Sequence, residues 1–122
     1  MASLVQQKSF GFALRIIKLY TTLQQHREYV LSRQLLRSGT SIGANVTEAT
    51  AGQSRRDFLA KMSIASKEAR ETKYWLELLK QSELAPVDVS GELSEVEELI
   101  RMLTSIVKTT SQSPAAVSTT QN

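Results

Sequence analysis

The most regular feature of this chain is the stretch 58–83, 26 residues that include neither proline nor glycine. Its apolar and small residues recur in alternating steps of four and three, which places them on one stripe of an α-helix. A helix of that length spans roughly 40 Å at 1.5 Å per residue, as in the rods of helical bundles. The stripe consists of Phe58, Met62, Ala65, Ala69, Thr72, Leu76 and Leu79.

The first predicted helix, from about Ser3 as its N-cap to about Gln25, has two apolar faces. One face holds Phe10, Ala13, Leu14, Ile17 and Tyr20, and the nearly opposite face holds Val5, Phe12, Ile16, Leu19 and Leu23. A helix that is apolar over more than half its circumference has more surface to bury than one core accommodates. We expect the second face to contact another copy of the chain, with Trp75 of the third helix as an aromatic anchor of this oligomer interface. The competing explanation is that this helix packs more deeply within its own subunit.

The second predicted helix runs from about Tyr29 to about Ala49 and contains two glycines, Gly39 and Gly43. Each glycine weakens a helix by about 1 kcal/mol relative to alanine. We therefore expect a neighbouring helix to pack closely against them.

A fourth helix completes the pattern and ends near Thr109. Short connections between the later helices favour antiparallel neighbours. The sequence predicts an all-α fold, an antiparallel up-down-up-down four-helix bundle over residues 1–110. The uncharged, Ser- and Thr-rich residues 111–122 predict a disordered or frayed tail.

The charge is distributed unevenly along the 122 residues. Residues 1–80 hold 13 Lys and Arg against 6 Asp and Glu, a net +7, whereas residues 81–122 hold 2 against 6, a net −4. The basic part is a candidate surface for polyanions, although a solvated surface would show the same gradient.

The residue types exclude most catalytic chemistry. The chain has no cysteine and one histidine, His26, so it lacks the Glu-x-x-His pairs of di-iron bundles and a thiol nucleophile. We expect no enzyme activity, no cofactor and no metal. The apolar run 10–23 is interrupted by Arg15 and Lys18, which argues against a membrane span. The acid-free stretch before Glu28 also resembles a transit peptide, but a bundle helix needs the same residues, and we expect a cytoplasmic protein.

A polar ridge accompanies the apolar stripe of the second helix. Ser41, Asn45 and Glu48 recur at spacings of four and three, so they lie at the edge of the core. Two interpretations stay open: a hydrogen-bonded network that fixes the helix register, and a site for a ligand or partner.

Three segments carry a resemblance to a known family: the run Ser41–Glu48, the run Ser54–Phe58 and the helix up to Leu79. They resemble the bacterial four-helix bundle proteins encoded in large-subunit (23S) rRNA intervening sequences. The accessory variability protein of diversity-generating retroelements belongs to the same broader group. The positions that carry the family motif are Ser41, Ala44, Asn45 and Glu48. The chain departs from the family pattern at Gly43, where proline is common, and at Ala49, where glycine is common.

The resemblance implies a homo-oligomeric ring, commonly of five subunits, with a basic surface and no catalysis. The retroelement relative partners a reverse transcriptase and nucleic acid. Our first hypothesis is therefore a non-enzymatic bundle that binds RNA or DNA, or a ribonucleoprotein such as a reverse transcriptase, through phosphate contacts. The candidate nucleic-acid-binding residues are Lys8, Arg15, Lys18, Arg33, Arg37, Arg55 and Arg56.

The rival hypothesis is a protein-interaction scaffold without a nucleic-acid role. In that case the arginines would pair with the acids between Glu92 and Glu98 of a neighbouring subunit. Salt separates the two hypotheses, because phosphate binding weakens steeply as salt rises.

Overall fold

Four long helices make up the computed structural model, which describes residues 3–52 and 54–112. They are α1 (Leu4–Gln25), α2 (Val30–Thr50), α3 (Arg55–Ser82) and α4 (Ser90–Ser111). The described residues contain no strand. The prediction of an all-α four-helix bundle is confirmed. Most of the predicted tail, residues 113–122, lies outside the described residues.

Two predicted helix starts are capped by serine side chains. The Ser3 hydroxyl accepts from the Gln6 backbone N–H at 3.3 Å, and the Gln6 side chain accepts from the Ser3 N–H at 2.9 Å, a reciprocal capping box. At α3, the Ser54 hydroxyl accepts from the Asp57 N–H at 3.0 Å. These bonds satisfy backbone donors that have no partner inside the helix.

The start of α2 is capped by a residue that the sequence pattern did not single out. The buried Glu28 carboxylate accepts from the backbone N–H groups of Val30 and Leu31 at 3.1 Å and of Ser32 at 2.7 Å. Arg27, just before it, has a positive φ of 62° that turns the chain after α1. A carboxylate at a helix N-terminus also interacts favourably with the helix dipole.

Contacts between neighbouring helices join residues in opposite sequence order. α1 contacts α2 through Gln6 with Thr50 and Gln24 with Ser32. α2 contacts α3 through Arg37 with Glu68 and Glu48 with Lys61. α1 also packs on α4, and α3 on α4, so each helix has two neighbours around one core.

The core holds the predicted stripe of α3, with Phe58 half-buried at its edge, together with apolar residues of α2 and α4 and one face of α1. That face is Val5, Phe12, Ile16, Leu19 and Leu23, at 0–6% exposed. The prediction that these five residues form an oligomer interface is therefore wrong, because they line the chain's own core. Trp75 is half-buried against the same core, and its indole N–H donates to Glu71 at 3.1 Å, so this predicted anchor is engaged within the chain.

The opposite face of α1 is the one left outside. Phe10, Leu14 and Ile17, which follow each other at spacings of four and three, are 66%, 49% and 44% exposed. Single exposed apolar residues are ordinary, but three on one face of one helix form a patch.

Close packing of α1 on α2 explains the two glycines of α2. A Cβ atom at Gly39 would lie 2.9 Å from both Cγ atoms of Ile16. At Gly43 it would lie 3.3 Å from the Ser9 carbonyl oxygen. The expected close approach of a neighbouring helix is confirmed at both positions.

We predict that Gly39→Ala lowers the free energy of unfolding relative to Gly11→Ala by about 1–3 kcal/mol, the usual cost of overpacking a core. Both changes bring the same gain in helix propensity of about 1 kcal/mol. At Gly11, however, nothing lies within 4 Å of an added Cβ. Urea unfolding of the two variants measures the difference, and equal stabilities would contradict the close α1–α2 contact.

Candidate nucleic-acid interface

The basic strip predicted on α1 is largely occupied by acids of α4 from the same chain. Lys8 Nζ lies 2.9 Å from Glu98 Oε1, Arg15 Nε lies 3.3 Å from Glu92 Oε2, and Arg15 also hydrogen-bonds Glu95. Glu92, Glu95 and Glu98 follow one another in steps of three and share a ridge of α4 that faces α1. Lys8 and Arg15 are therefore structural cations in this chain, while Lys18 lies exposed beside them without a carboxylate partner among the described residues.

Arg15 has several contacts where α1 packs on α4, a boundary that we call the α1–α4 seam. Its guanidinium lies over Gly91, where an added methyl group would collide with it. The hydrogen bond to Glu95 and the charge of Glu92 raise the pKa of Arg15 above its ordinary value. Glu92 is buried, and within the described part of the chain its Oε1 has no hydrogen-bond partner. Its carboxylate therefore depends on Arg15 for compensation.

The other predicted cations separate into two groups. Arg37 on α2 hydrogen-bonds Glu71 and lies 3.4 Å from Glu68, so it ties α2 to α3. Arg33 on α2, with Arg55 and Arg56 on the first turn of α3, lies exposed. The structure does not join the seven predicted residues into one surface, because they lie on α1, α2 and the start of α3, and Lys8, Arg15 and Arg37 are engaged in ion pairs.

A different group of cations does share one surface, which we call the α3–α4 basic face: Lys67, Arg70, Arg101 and Lys108. Arg70 Nη2 donates to Thr104 Oγ1 at 3.1 Å, and this bond places the two helices side by side. Arg101 and Lys108 lie one turn before and after Thr104 on α4, and Lys67 lies one turn before Arg70 on α3. All four are exposed, and within the described residues none forms an ion pair with a carboxylate.

A shallow cleft extends this face toward the α3–α4 connection. It has a volume of about 280 Å³ and is lined by Lys80 of α3 and by Ser90, Leu93, Ser94, Glu97 and Arg101 of α4. Glu97 lies on this face, and Glu77 lies one turn before Lys80 on α3, 3.8 Å from Lys73 Nζ. The cations outnumber these two acids, so the face as a whole is positive.

The family-motif residues of α2 make local bonds. The Asn45 side-chain amide donates to the Ser41 carbonyl at 2.9 Å and to the Ser41 hydroxyl at 3.2 Å. Glu48 Oε1 lies 2.8 Å from Lys61 Nζ of α3, and Ala44 is exposed. These bonds favour the interpretation that the ridge fixes helix register over a ligand site.

The described residues include no cluster of three or more His, Cys, Asp or Glu side chains that could hold a metal ion. Over the same residues, none of the helices is long and apolar enough to cross a membrane.

The structure thus defines a class: an all-α four-helix bundle with ion pairs between its helices and a basic face without carboxylate partners among the described residues. Residues 2–105 match the model of the 23S rRNA-intervening sequence protein family, and the chain belongs to that family. It is similar to a solved protein of unknown function from the S23 ribosomal protein family of Bacteroides thetaiotaomicron. The two chains are 48% identical, the match covers 85% of this chain and 95% of that one, and the TM-score is 0.80. No curated protein matches the chain.

We predict that Arg15→Ala lowers the free energy of unfolding by about 1–3 kcal/mol, because it leaves the buried Glu92 carboxylate without its partner. Arg33→Ala removes an exposed cation that has no carboxylate partner in the described part of the chain, and it should change stability by less than about 0.5 kcal/mol. Thermal unfolding of both variants tests this. Equal melting temperatures would show that Arg15 does not hold the α1–α4 seam.

Proposed function

We propose that the chain is a non-enzymatic, cytoplasmic, homo-oligomeric bundle that binds nucleic acid through phosphate contacts. The observation that supports this is the α3–α4 basic face, where four exposed cations have no carboxylate partner within residues 3–52 and 54–112. Phosphate oxygens are the groups that Arg and Lys bind most readily on a polyanion, and such contacts carry no sequence information.

The proposed nucleic-acid-binding surface differs from the one expected from the sequence. Lys8, Arg15 and Arg37 would have to leave a carboxylate of their own chain before they could bind a phosphate. The four cations of the α3–α4 basic face would not. Arg33, Arg56 and Lys18 lie elsewhere on the surface and would add contacts to a strand long enough to reach them.

The scaffold hypothesis has lost its main support. It required basic residues to pair with the acids between Glu92 and Glu98 of a neighbouring subunit. Glu92, Glu95 and Glu98 already pair with Arg15 and Lys8 of the same chain. A ribonucleoprotein, such as the reverse transcriptase implied by the family resemblance, remains part of the proposal because it would bring the nucleic acid with it.

Our proposal includes the assembly. The opposite order of the contacts between neighbouring helices supports the antiparallel up-down-up-down arrangement. The exposed Phe10, Leu14 and Ile17 on the outer face of α1 support contact with a second copy, because such a patch is better buried than left in water. The ring and its five subunits follow from the resemblance.

We predict that replacing Lys67, Arg70, Arg101 and Lys108 together by alanine weakens binding to a single-stranded oligonucleotide of about 20 nucleotides. The slope of log affinity against log salt should become shallower by about 3, because four phosphate contacts are lost. Fluorescence anisotropy between about 50 and 200 mM salt measures both effects. Absence of any complex with the parent protein at the lower salt would remove the proposal.

A matched pair of double variants tests whether binding depends on where the cations lie or only on the net charge of the protein. Arg70→Ala with Arg101→Ala and Arg37→Ala with Lys61→Ala each remove two positive charges, but the second pair are ion-paired cations of the α2–α3 seam. The first variant should lose affinity and the second should retain it. Equal losses would mean that net charge alone governs binding.

We predict that Phe10→Glu with Leu14→Glu dissociates the oligomer while helical content stays unchanged, because both side chains point away from the core. Phe12→Glu should instead unfold the chain, since Phe12 is fully buried. Light scattering and circular dichroism report the two outcomes, with the exposed Val30→Glu as a control. A parent protein that is a monomer at micromolar concentration would reject the interface.

A further inference from the structure

An exposed tyrosine stands on the α3–α4 basic face. Tyr74 is 57% exposed and follows Arg70 by one helical turn and Lys67 by two. Arg70 contacts Thr104, whereas Lys80, further along α3, shares a cleft with the earlier α4 residues 90–101. The two helices therefore meet in opposite sequence order. Tyr74 therefore lies opposite the turn of α4 that carries Arg101. Lys67 and Arg70 thus lie on one side of the ring along α3, and Arg101 lies across from it on α4.

The Tyr74 ring is held in place by a neighbouring aromatic side chain. Tyr74 packs edge-on against the half-buried Trp75, with ring centroids 5.1 Å apart and ring planes at 64°. The Trp75 indole is in turn anchored by its hydrogen bond to Glu71. A ring held in place in the free protein loses little conformational freedom when a ligand stacks on it.

The acids near Tyr74 would not repel a phosphate strongly. Glu71, one turn before it, pairs with Arg37, and Glu77, one turn after it, lies 3.8 Å from Lys73 Nζ. Glu97, one turn before Arg101 on α4, has no ion-pair partner among the described residues and offsets part of the positive charge. Arg70, Lys67 and Arg101 outnumber it, so the local field around Tyr74 is positive.

We propose that Tyr74 is a stacking platform for an unpaired base, and that the α3–α4 basic face is specific for single-stranded over double-stranded nucleic acid. This inference rests on the proposed nucleic-acid function. Every base has a π-face, so stacking on a surface aromatic is tolerant of sequence. A base inside a duplex has both faces covered by its neighbours and cannot stack on Tyr74, whereas its phosphates can still reach the cations.

The test compares two single strands of about 20 nucleotides, oligo-dT and an abasic strand with the same number of phosphates. The parent protein should bind oligo-dT more tightly than the abasic strand. Tyr74→Leu should weaken oligo-dT binding roughly 5- to 150-fold, the equivalent of one stacked base, and leave abasic binding unchanged. Tyr74→Phe should retain the parent affinity, and the exposed Tyr29→Leu serves as a control. Trp75, the single tryptophan, should report the stacking by a change in its fluorescence on adding oligo-dT.

Two outcomes separate this inference from the proposed function. If the parent binds both strands equally and Tyr74→Leu has no effect, the stacking platform is overturned while phosphate binding stands. If the parent binds neither strand at low salt, both are overturned. A change in oligomer mass for Tyr74→Leu, with unchanged oligo-dT affinity, would instead assign Tyr74 to a protein contact and reject the platform.

Discussion

The close contact between α1 and α2 determines how the rest of the surface is arranged. At Gly39 and Gly43, α2 has no side chain, and Ile16 and the backbone of Ser9 on α1 pack closely against these two positions. A helix that approaches this closely cannot rotate about its axis without driving a side chain into the neighbouring backbone. The rotation of α1 is thereby set, and with it the choice between its two apolar faces.

That rotation has consequences on the other flanks of α1. The face with Phe12 and Ile16 enters the core, so Phe10, Leu14 and Ile17 face outward. The flank with Lys8 and Arg15 meets the acidic ridge of α4. The close packing of α1 on the two glycines of α2 thus decides which apolar residues are available to a partner and which cations are neutralised.

Much of the fold could be predicted from the sequence, because α2, α3 and α4 each have one dominant apolar stripe. α1 could not be resolved in this way. Its two faces are similarly apolar, and only the three-dimensional fit at Gly39 distinguishes them. The cations posed a similar difficulty. Arg101 and Lys108 lie in the acidic part of the chain, and the ion pairs that neutralise Lys8 and Arg15 join residues more than 75 positions apart. A charge count along the sequence cannot detect such pairing.

The distribution of unpaired charge matters more here than the net charge of +3. Opposite charges in contact cancel over a distance shorter than the Debye length of about 8–10 Å at physiological salt, so a polyanion does not sense the α1–α4 seam as basic. It senses cations without a carboxylate partner. Among the described residues the α3–α4 basic face holds four of these, and Lys67, Arg70 and Arg101 lie near the Tyr74 ring. In an assembly of identical subunits each copy would repeat this face. Several weak contacts along one strand would then combine into a stronger attachment, provided that the strand can span from one copy to the next.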